Sequence, residues 1–173
     1  MAFGFGKRDG RIGPVTVRDV VGQLFNAPNT AAGLTYGALG HAAGQVGYGL
    51  GMTERRPRIV RGSGKTEFVN NPLGGVGAIT MGDTTTVFDD PYDAKDYEKD
   101  WKGIEAKEGH TVWEHERQHM MQGRQLGPLY LPSNLLGGAT ALLRDGDWHG
   151  ESNWNERGPK SNPARPWAPR RPR

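Results

Sequence analysis

The sequence predicts a single α+β domain, and three segments carry this prediction. Residues 111–123 have helix signals at both ends. Residues 76–88 are rich in Val, Ile and Thr, which favour β-strands. Residues 133–146 place apolar side chains at helical spacing and end in a glycine. With 173 residues, the chain is long enough to form one hydrophobic core around these elements.

Composition limits the kinds of site that this domain can hold. The chain has no cysteine, so it has neither disulfides nor a thiolate nucleophile, and any zinc site must use His and carboxylate ligands. The 27 glycines and 12 prolines favour long irregular segments beside a modest core. The sequence contains no nucleic-acid motif and no serine nucleophile elbow, and the GKT of residues 64–66 lacks the first glycine that a P-loop requires.

The two ends of the chain differ from the middle. We expect residues 1–14 to be a flexible leader, residues 15–159 to form the domain and residues 160–173 to be a Pro/Arg-rich tail. The leader lacks the apolar stretch of a Sec signal peptide, which leaves the cytoplasm and a signal-peptide-independent export route as alternatives. The tail has one Lys, four Arg and no acidic residue, so it can dock an acidic partner, although a solvated terminus is the simpler interpretation.

Two helices are predicted ahead of the strands. In residues 16–25, after a candidate cap at Thr16, four apolar residues lie at helical spacing, namely Val17, Val20, Val21 and Leu24. Residues 31–52 carry glycines at GxxxG spacing, which suits a helix that packs closely against the domain. This second segment is too weakly apolar for a convincing transmembrane helix, so membrane contact through it is the less favoured alternative.

The predicted strands are residues 66–70 and 76–88, and residues 54–58 before them are predicted to be a charged turn. Asp83 follows Gly82 at an expected bend in the second strand, where a turn role explains it. The second strand could lie at the edge of the sheet and hold an extended peptide by main-chain hydrogen bonds. A plain core or edge strand is the alternative interpretation.

A helix of residues 112–122 contains the pattern HExxH. Thr111 and Glu114 fit a capping box at its start, and Gly123 suits the position just after its end. These signals do not depend on the HExxH pattern, so the segment is predicted to be helical in its own right.

A second helix is predicted after an apolar link. The link, residues 126–132, contains two prolines. The helix, residues 133–146, begins at a cap formed by Ser133 or Asn134 and stops near Gly146. Its predicted buried stripe consists of Leu135, Ala139, Leu142 and Leu143.

The HExxH pattern has the spacing of a metal site. His115 and His119 are about one helical turn apart, so both imidazoles lie on one face and can bind one metal ion. Glu116 points in another direction, from which it cannot bind that ion but can take a proton from a water on it. A charged helix face can also produce the pattern by accident. Arg117 departs from the wider zinc-peptidase pattern, in which that position is uncharged.

A third ligand must come from another part of the chain, and Glu151 and Glu156 are the candidates. Both follow the second helix, and a helix–turn–helix return would bring them beside the histidines. His149 lies close to this pair in sequence and could stabilise an oxyanion or replace a ligand, and Tyr130 could also donate to an oxyanion. The alternatives are a surface histidine and a packed tyrosine.

The stretch HERQHMMQGRQLGPLYLPSNLLGG, with the later NWNERGP, resembles a group of small bacterial HExxH proteins of the gluzincin type, some of which occur as domains of secreted toxins. Their pattern is HExxH, a Gln three residues on, a Gly-Pro-Leu stretch that ends in proline, a helix, and then Asn-x-x-Glu. Residues 115–119, Gln122, residues 126–132 and residues 153–156 match it here. The resemblance covers roughly residues 25–159.

The resemblance implies a small zincin-like domain with a HExxH helix, a following antiparallel helix and a short β-sheet. In gluzincins the third ligand is a Glu from a following helix. The resemblance therefore implies a zinc-dependent peptidase of peptide or protein substrates, with His115, His119 and Glu156 as ligands of Zn²⁺ and Glu116 as general base. The alternative is a non-catalytic module that the metal stabilises, acting as a structural or interaction part of a secreted effector or toxin.

Overall fold

The computed structural model describes residues 17–62, 64–75, 77–92, 112–161 and 163–168. Its elements, in chain order, are the helices α1 (Val17–Phe25) and α2 (Ala27–Gly49), the strands β1 (Arg58–Gly62), β2 (Lys65–Val69), β3 (Ala78–Met81) and β4 (Thr84–Val87), the helix α3 (Val112–Leu126), a 3-10 turn (Gly127–Leu129) and the helix α4 (Tyr130–Asp145). This architecture confirms the predicted α+β class. The predicted caps at Thr16 and Thr111 lie outside the described residues.

The strands form one mixed sheet in the order β1-β2-β4-β3. β1 pairs antiparallel with β2, and β3 pairs antiparallel with β4. β2 and β4 run parallel, with Thr66 opposite Thr84. No strand is predicted for β1, and the predicted charged turn of residues 54–58 overlaps its first residue, Arg58. The order places β3 at one edge of the described sheet.

The single strand predicted for residues 76–88 is wrong, because this segment forms the β3–β4 hairpin. The chain reverses at Gly82 and Asp83, and Gly82 has a φ of 65°. A Cβ at Gly82 would lie 2.2 Å from the backbone nitrogen of Thr30 in α2. Both the backbone conformation and the close approach of α2 therefore require glycine at this turn.

α2 packs against the sheet through its glycines. Gly33, Gly37, Gly40 and Gly44 are buried, and a Cβ at Gly37 would lie 2.1 Å from the ring of Phe68 in β2. The prediction of a closely packed helix of small residues is confirmed, since a larger side chain here would push the helix off the sheet. In the part of the chain that the structure describes, no helix is long and apolar enough to cross a membrane.

The two helices after the sheet extend beyond their predicted limits. α3 continues past Gly123 to Leu126. Glycine is needed at position 123 because Asn26 approaches closely, and a Cβ there would lie 2.5 Å from Oδ1 of Asn26. The predicted link of residues 126–132 is wrong, because it forms a 3-10 turn and the first turn of α4. Pro132 lies in that first turn, where no helical hydrogen bond is lost. α4 ends at Gly146 in the left-handed conformation, as predicted.

The buried stripe predicted for α4 does not face the core. The four apolar residues at helical spacing in α1 are exposed. The leucines predicted to be buried in α4 are exposed too, namely Leu135, Leu142 and Leu143. The buried residues of α4 are Tyr130, Gly137, Gly138 and Ala141. The indole of Trp148 packs directly on Gly138, where a Cβ would lie only 2.0 Å from the ring. The loop after α4 therefore determines which face of the helix is covered.

A buried ion pair joins α3 to the β3–β4 hairpin. Arg124 donates from Nε to Oδ1 of Asp83 at 2.9 Å, and its Nη2 lies 2.8 Å from the same oxygen. The backbone N–H of Asp83 donates to Oγ1 of Thr30 in α2 at 3.0 Å. Asp83 is therefore more than the turn residue that the sequence predicts, because it fixes both α2 and α3 to the sheet.

Candidate metal centre

His115 and His119 lie on the buried side of α3, and Glu156 approaches them from the loop after α4. Within the described residues these three form a group that could hold a metal ion, with ligand atoms within 4.8 Å of one another. All three side chains are buried. Glu151, the competing candidate for the third ligand, is exposed and lies outside this group.

The spacing of the three side chains fits a small cation. The Nε2 atoms of His115 and His119 are 3.0 Å apart. Oε2 of Glu156 lies 3.2 Å from Nε2 of His115, and Oε1 lies 3.5 Å from Nε2 of His119. Two ligand atoms that each lie about 2.0–2.1 Å from a tetrahedral zinc ion are about 3.3 Å apart. The three donors thus have the separation that one shared ion requires.

The electrostatics of the triad favour positive charge at its centre. Burial alone would lower the pKa of His119, but the hydrogen bond and charge of Glu156, followed by the charge of Glu116, raise it to about 9. Burial alone would raise the pKa of Glu156, but hydrogen bonds from His115 and His119 hold it well below its usual range. In the metal-free triad, a proton on His119 therefore balances the charge of the Glu156 carboxylate. A bound metal ion would neutralise the same carboxylate.

Glu156 comes from a loop, which corrects the expectation of a ligand carried by a following helix. Residues 151–160 form successive turns apart from Asn153. The N–H of Glu156 donates to the carbonyl of Asn153 at 3.1 Å, and Oδ1 of Asn153 accepts from the N–H of Asn155 at 3.0 Å. Nδ2 of Asn155 donates to the carbonyl of Ser133 in α4 at 2.9 Å. This buried network sets the direction from which Glu156 enters.

Glu116 and Tyr130 lie close to the histidine pair. Glu116 is buried, and its negative charge helps to raise the pKa of both His119 and Tyr130. The ring centroid of Tyr130 lies 6.5 Å from that of His119, and the phenol oxygen accepts from Nδ2 of Asn134 at 3.3 Å. Burial, more than Glu116, raises the pKa of Tyr130, so its hydroxyl stays protonated. A carboxylate and a phenol therefore flank the predicted ligands.

Other predicted site residues do not join the triad, and some supporting residues were not predicted. His149 is exposed, with Nδ1 3.8 Å from Asp147. The support that sequence reasoning missed comes from Asn155 and from the carbonyl of Pro166, which both contact Gln122 of α3. A sequence signal for Gln122 exists, because a polar residue three positions after His119 lies on the same buried face of the helix.

Comparison of the chain with protein-family models, curated proteins and solved structures found no match. The resemblance to HExxH proteins therefore rests on the residues of the chain alone. Of what that resemblance implies, the structure shows a buried group of His115, His119 and Glu156, with both histidines on one helix. This group is compatible with a zincin-like HExxH site.

Proposed function

We propose that this protein is a zinc-dependent peptidase, with His115, His119 and Glu156 as zinc ligands and Glu116 as general base. One observation carries the proposal: three buried side chains of the described residues could hold a metal ion, and Glu116 is buried beside them. Structural zinc sites usually have four protein ligands, whereas catalytic sites have three and keep one position for water or substrate. A three-ligand site with a carboxylate next to it therefore favours catalysis.

The chemistry of the donors suits this role. Two imidazoles and one carboxylate are ligands that zinc accepts. When bound, zinc would polarise a carbonyl and lower the pKa of a coordinated water. Glu116 would accept the proton of the attacking water on its carboxylate and deliver it to the leaving amine. The position of Glu116 directly after His115 in α3 supports a role beside the proposed ligands and not as one of them.

An extended peptide is the substrate class that the sheet favours. β3 lies at the edge of the described sheet and packs against α3, the helix that carries Glu116. An edge strand offers main-chain donors and acceptors with which an extended peptide can pair. A peptide bound along β3 would run beside the HExxH helix. We therefore propose that the substrate is held by its main chain more than by one particular side chain.

The variant Glu116→Gln tests the proposal. Glutamine keeps the size of the side chain but cannot accept a proton, so we expect one zinc ion per chain and a loss of about 10²- to 10⁴-fold in peptide hydrolysis. Zinc content is measured by mass spectrometry and hydrolysis on a broad peptide library. Glu114→Gln, which removes an exposed carboxylate from the same helix, is the matched control and should hydrolyse like the wild type.

A metal-stabilised structural module is the second candidate, and the deep burial of the triad favours it. Closed sites hold a metal ion that contributes directly to the free energy of folding. In this case removal of the metal by a chelator should unfold the protein, and the wild type should cleave no peptide in the library. Hydrolysis by the wild type that disappears in Glu116→Gln rejects this candidate.

A further inference from the structure

The side-chain amide of Gln122 is completely buried and links His119 to two main-chain carbonyls. Oε1 of Gln122 lies 2.9 Å from Nδ1 of His119. Nε2 of Gln122 donates to the carbonyl of Asn155 at 2.7 Å and to the carbonyl of Pro166 at 2.5 Å. Both the donor and the acceptor end of the amide are therefore used.

These partners determine which nitrogen of His119 is available to bind a metal ion. Carbonyl oxygens only accept hydrogen bonds, so the NH₂ group of Gln122 must face Asn155 and Pro166, and its oxygen must face His119. An amide oxygen also only accepts, so Nδ1 of His119 must be the donor. This leaves Nε2 of His119, which faces His115 and Glu156, as the nitrogen that can bind a metal ion.

Pro166 belongs to a segment, residues 163–168, that packs back on α3 and that we call the C-terminal strap. Trp167 donates from Nε1 to Oε1 of Gln125 at 2.6 Å, one turn beyond Gln122 on α3. The N–H of Arg165 donates to the carbonyl of Gly158 at 3.2 Å. A Cβ at Gly158 would lie 2.6 Å from the carbonyl of Pro166. The strap thus contacts both α3 and the loop that carries Glu156.

We propose that Gln122 is a positioning residue of the metal centre and that the C-terminal strap fixes Gln122 in place. The inference rests on the proposed metal site, but not on hydrolysis. Trp167 docks the strap on α3, the carbonyl of Pro166 holds the NH₂ group of Gln122, and the amide oxygen holds the ring of His119. Because the same NH₂ group also binds the carbonyl before Glu156, one amide orders ligands from α3 and from the loop.

The variant Gln122→Met removes the amide and keeps the length of the side chain. We expect zinc still to bind, with an affinity about 10- to 100-fold lower than in the wild type. Cobalt-loaded protein gives a second readout, because its visible absorption reports ligand geometry and should shift. Gln118→Met, on the same helix and half-buried, is the matched control and should match the wild type in both readouts. Wild-type affinity and absorption in Gln122→Met would overturn the positioning role.

A double-mutant cycle in the full-length chain tests the strap. Trp167→Ala should weaken zinc binding to a value between those of the wild type and Gln122→Met. In the Gln122→Met background it should cause no further loss, because Trp167 acts through Gln122. Losses that add, or wild-type affinity in Trp167→Ala, would reject the coupling. Trp167→Phe keeps an aromatic ring but is smaller and lacks the indole N–H that binds Gln125. It provides a milder variant, with a smaller expected loss, if Trp167→Ala disturbs folding.

A metal-free readout separates this inference from the proposed function. In ¹⁵N NMR spectra of the metal-free wild type, the Nδ1 proton of His119 should be protected from exchange with water and give a signal. The signal should be lost in Gln122→Met and kept in Gln118→Met, the matched control. If the wild type binds no zinc, the proposed function fails, and this comparison still decides whether Gln122 orients His119. A signal that persists in Gln122→Met contradicts the inference.

Discussion

Residues of α3 take part in two buried charged clusters, which differ in whether their charges balance without an added ion. The Arg124–Asp83 pair joins a permanent cation to one carboxylate at 2.8 Å. The triad of His115, His119 and Glu156 joins one carboxylate to two titratable rings, with the second carboxylate of Glu116 close by. The first cluster is neutral without any added ion. The second becomes neutral only when it takes up protons or a metal cation.

The pKa values of the two carboxylates show the same difference. Burial raises the pKa of Asp83, and Arg124 only partly offsets this. The pKa of Glu156 is lowered in spite of burial, because two imidazoles donate to it. A buried ion pair alone is therefore weak evidence of a function, whereas three converging side chains that could hold a metal ion form a candidate ligand site.

The largest effect is expected on stability when the buried Arg124–Asp83 pair is broken. Arg124→Met leaves Asp83 buried without its cation, and we expect the free energy of unfolding to fall by about 3–5 kcal/mol. Urea unfolding of the metal-free protein measures this loss. The folded fraction should still bind one zinc ion, because the triad is untouched.

Removing both charges provides the control for that experiment. The double variant Arg124→Met with Asp83→Asn should recover most of the lost stability, since no buried charge remains unpaired. A double variant as unstable as Arg124→Met would show that Arg124 acts through its packing against Gly22 and not through its charge.

The next largest effect concerns the triad of His115, His119 and Glu156. Glu156→Ala should abolish the stabilisation of the protein by zinc. Zinc at about 100 times its Kd should add about 2.7 kcal/mol to the stability of the wild type and nothing to that of the variant. Thermal unfolding with and without zinc measures the difference. Glu151→Ala is the matched control, because Glu151 is exposed and outside the triad. Zinc stabilisation that is lost in Glu151→Ala and kept in Glu156→Ala would reverse the assignment of the third ligand.

Local signals in the sequence were enough to predict the elements that hold the histidines. The HExxH spacing places His115 and His119 on one face of a helix, and Gly146 marks the end of the next helix. Only the resemblance to HExxH proteins favoured Glu156 as the third ligand. The residues themselves left Glu151 as an alternative. The glycines of α2 also indicated their role, because their spacing predicts close packing whatever the partner is.

The errors lie where distant parts of the chain determine the local structure. Helical spacing predicted that the leucines of α4 are buried, but the indole of Trp148 covers the glycine face instead. Gly123 reads as a helix end, yet Asn26, far away in sequence, explains it. The contacts of Gln122 follow the same rule, since Pro166 lies 44 residues further along the chain. Periodicity reports which residues share a face, but not what packs against it.

The smallest effect is a pH dependence that separates the two clusters. Zinc must displace the proton that the triad holds, and the pKa of His119 is about 9 in the folded metal-free protein against 6.5 ordinarily. Zinc affinity should therefore rise by about tenfold per pH unit for each displaced proton up to about pH 9. The stability of the metal-free protein should change in the opposite direction. A raised histidine pKa contributes stability that is fully present below pH 6.5 and is lost as the pH rises through about 9.

Competition with a chelator at several pH values, corrected for protonation of the chelator, measures the affinity, and urea unfolding measures the stability. The double variant Arg124→Met with Asp83→Asn should show the same pH slopes as the wild type in both experiments, because Arg124 keeps its charge throughout this range in the wild type and neither methionine nor asparagine titrates. Glu156→Ala should lose much of the pH dependence of stability, since Glu156 is the main partner that holds the proton on His119. A zinc affinity that does not change between pH 6.5 and 9 would mean that no proton occupies the triad before the metal binds.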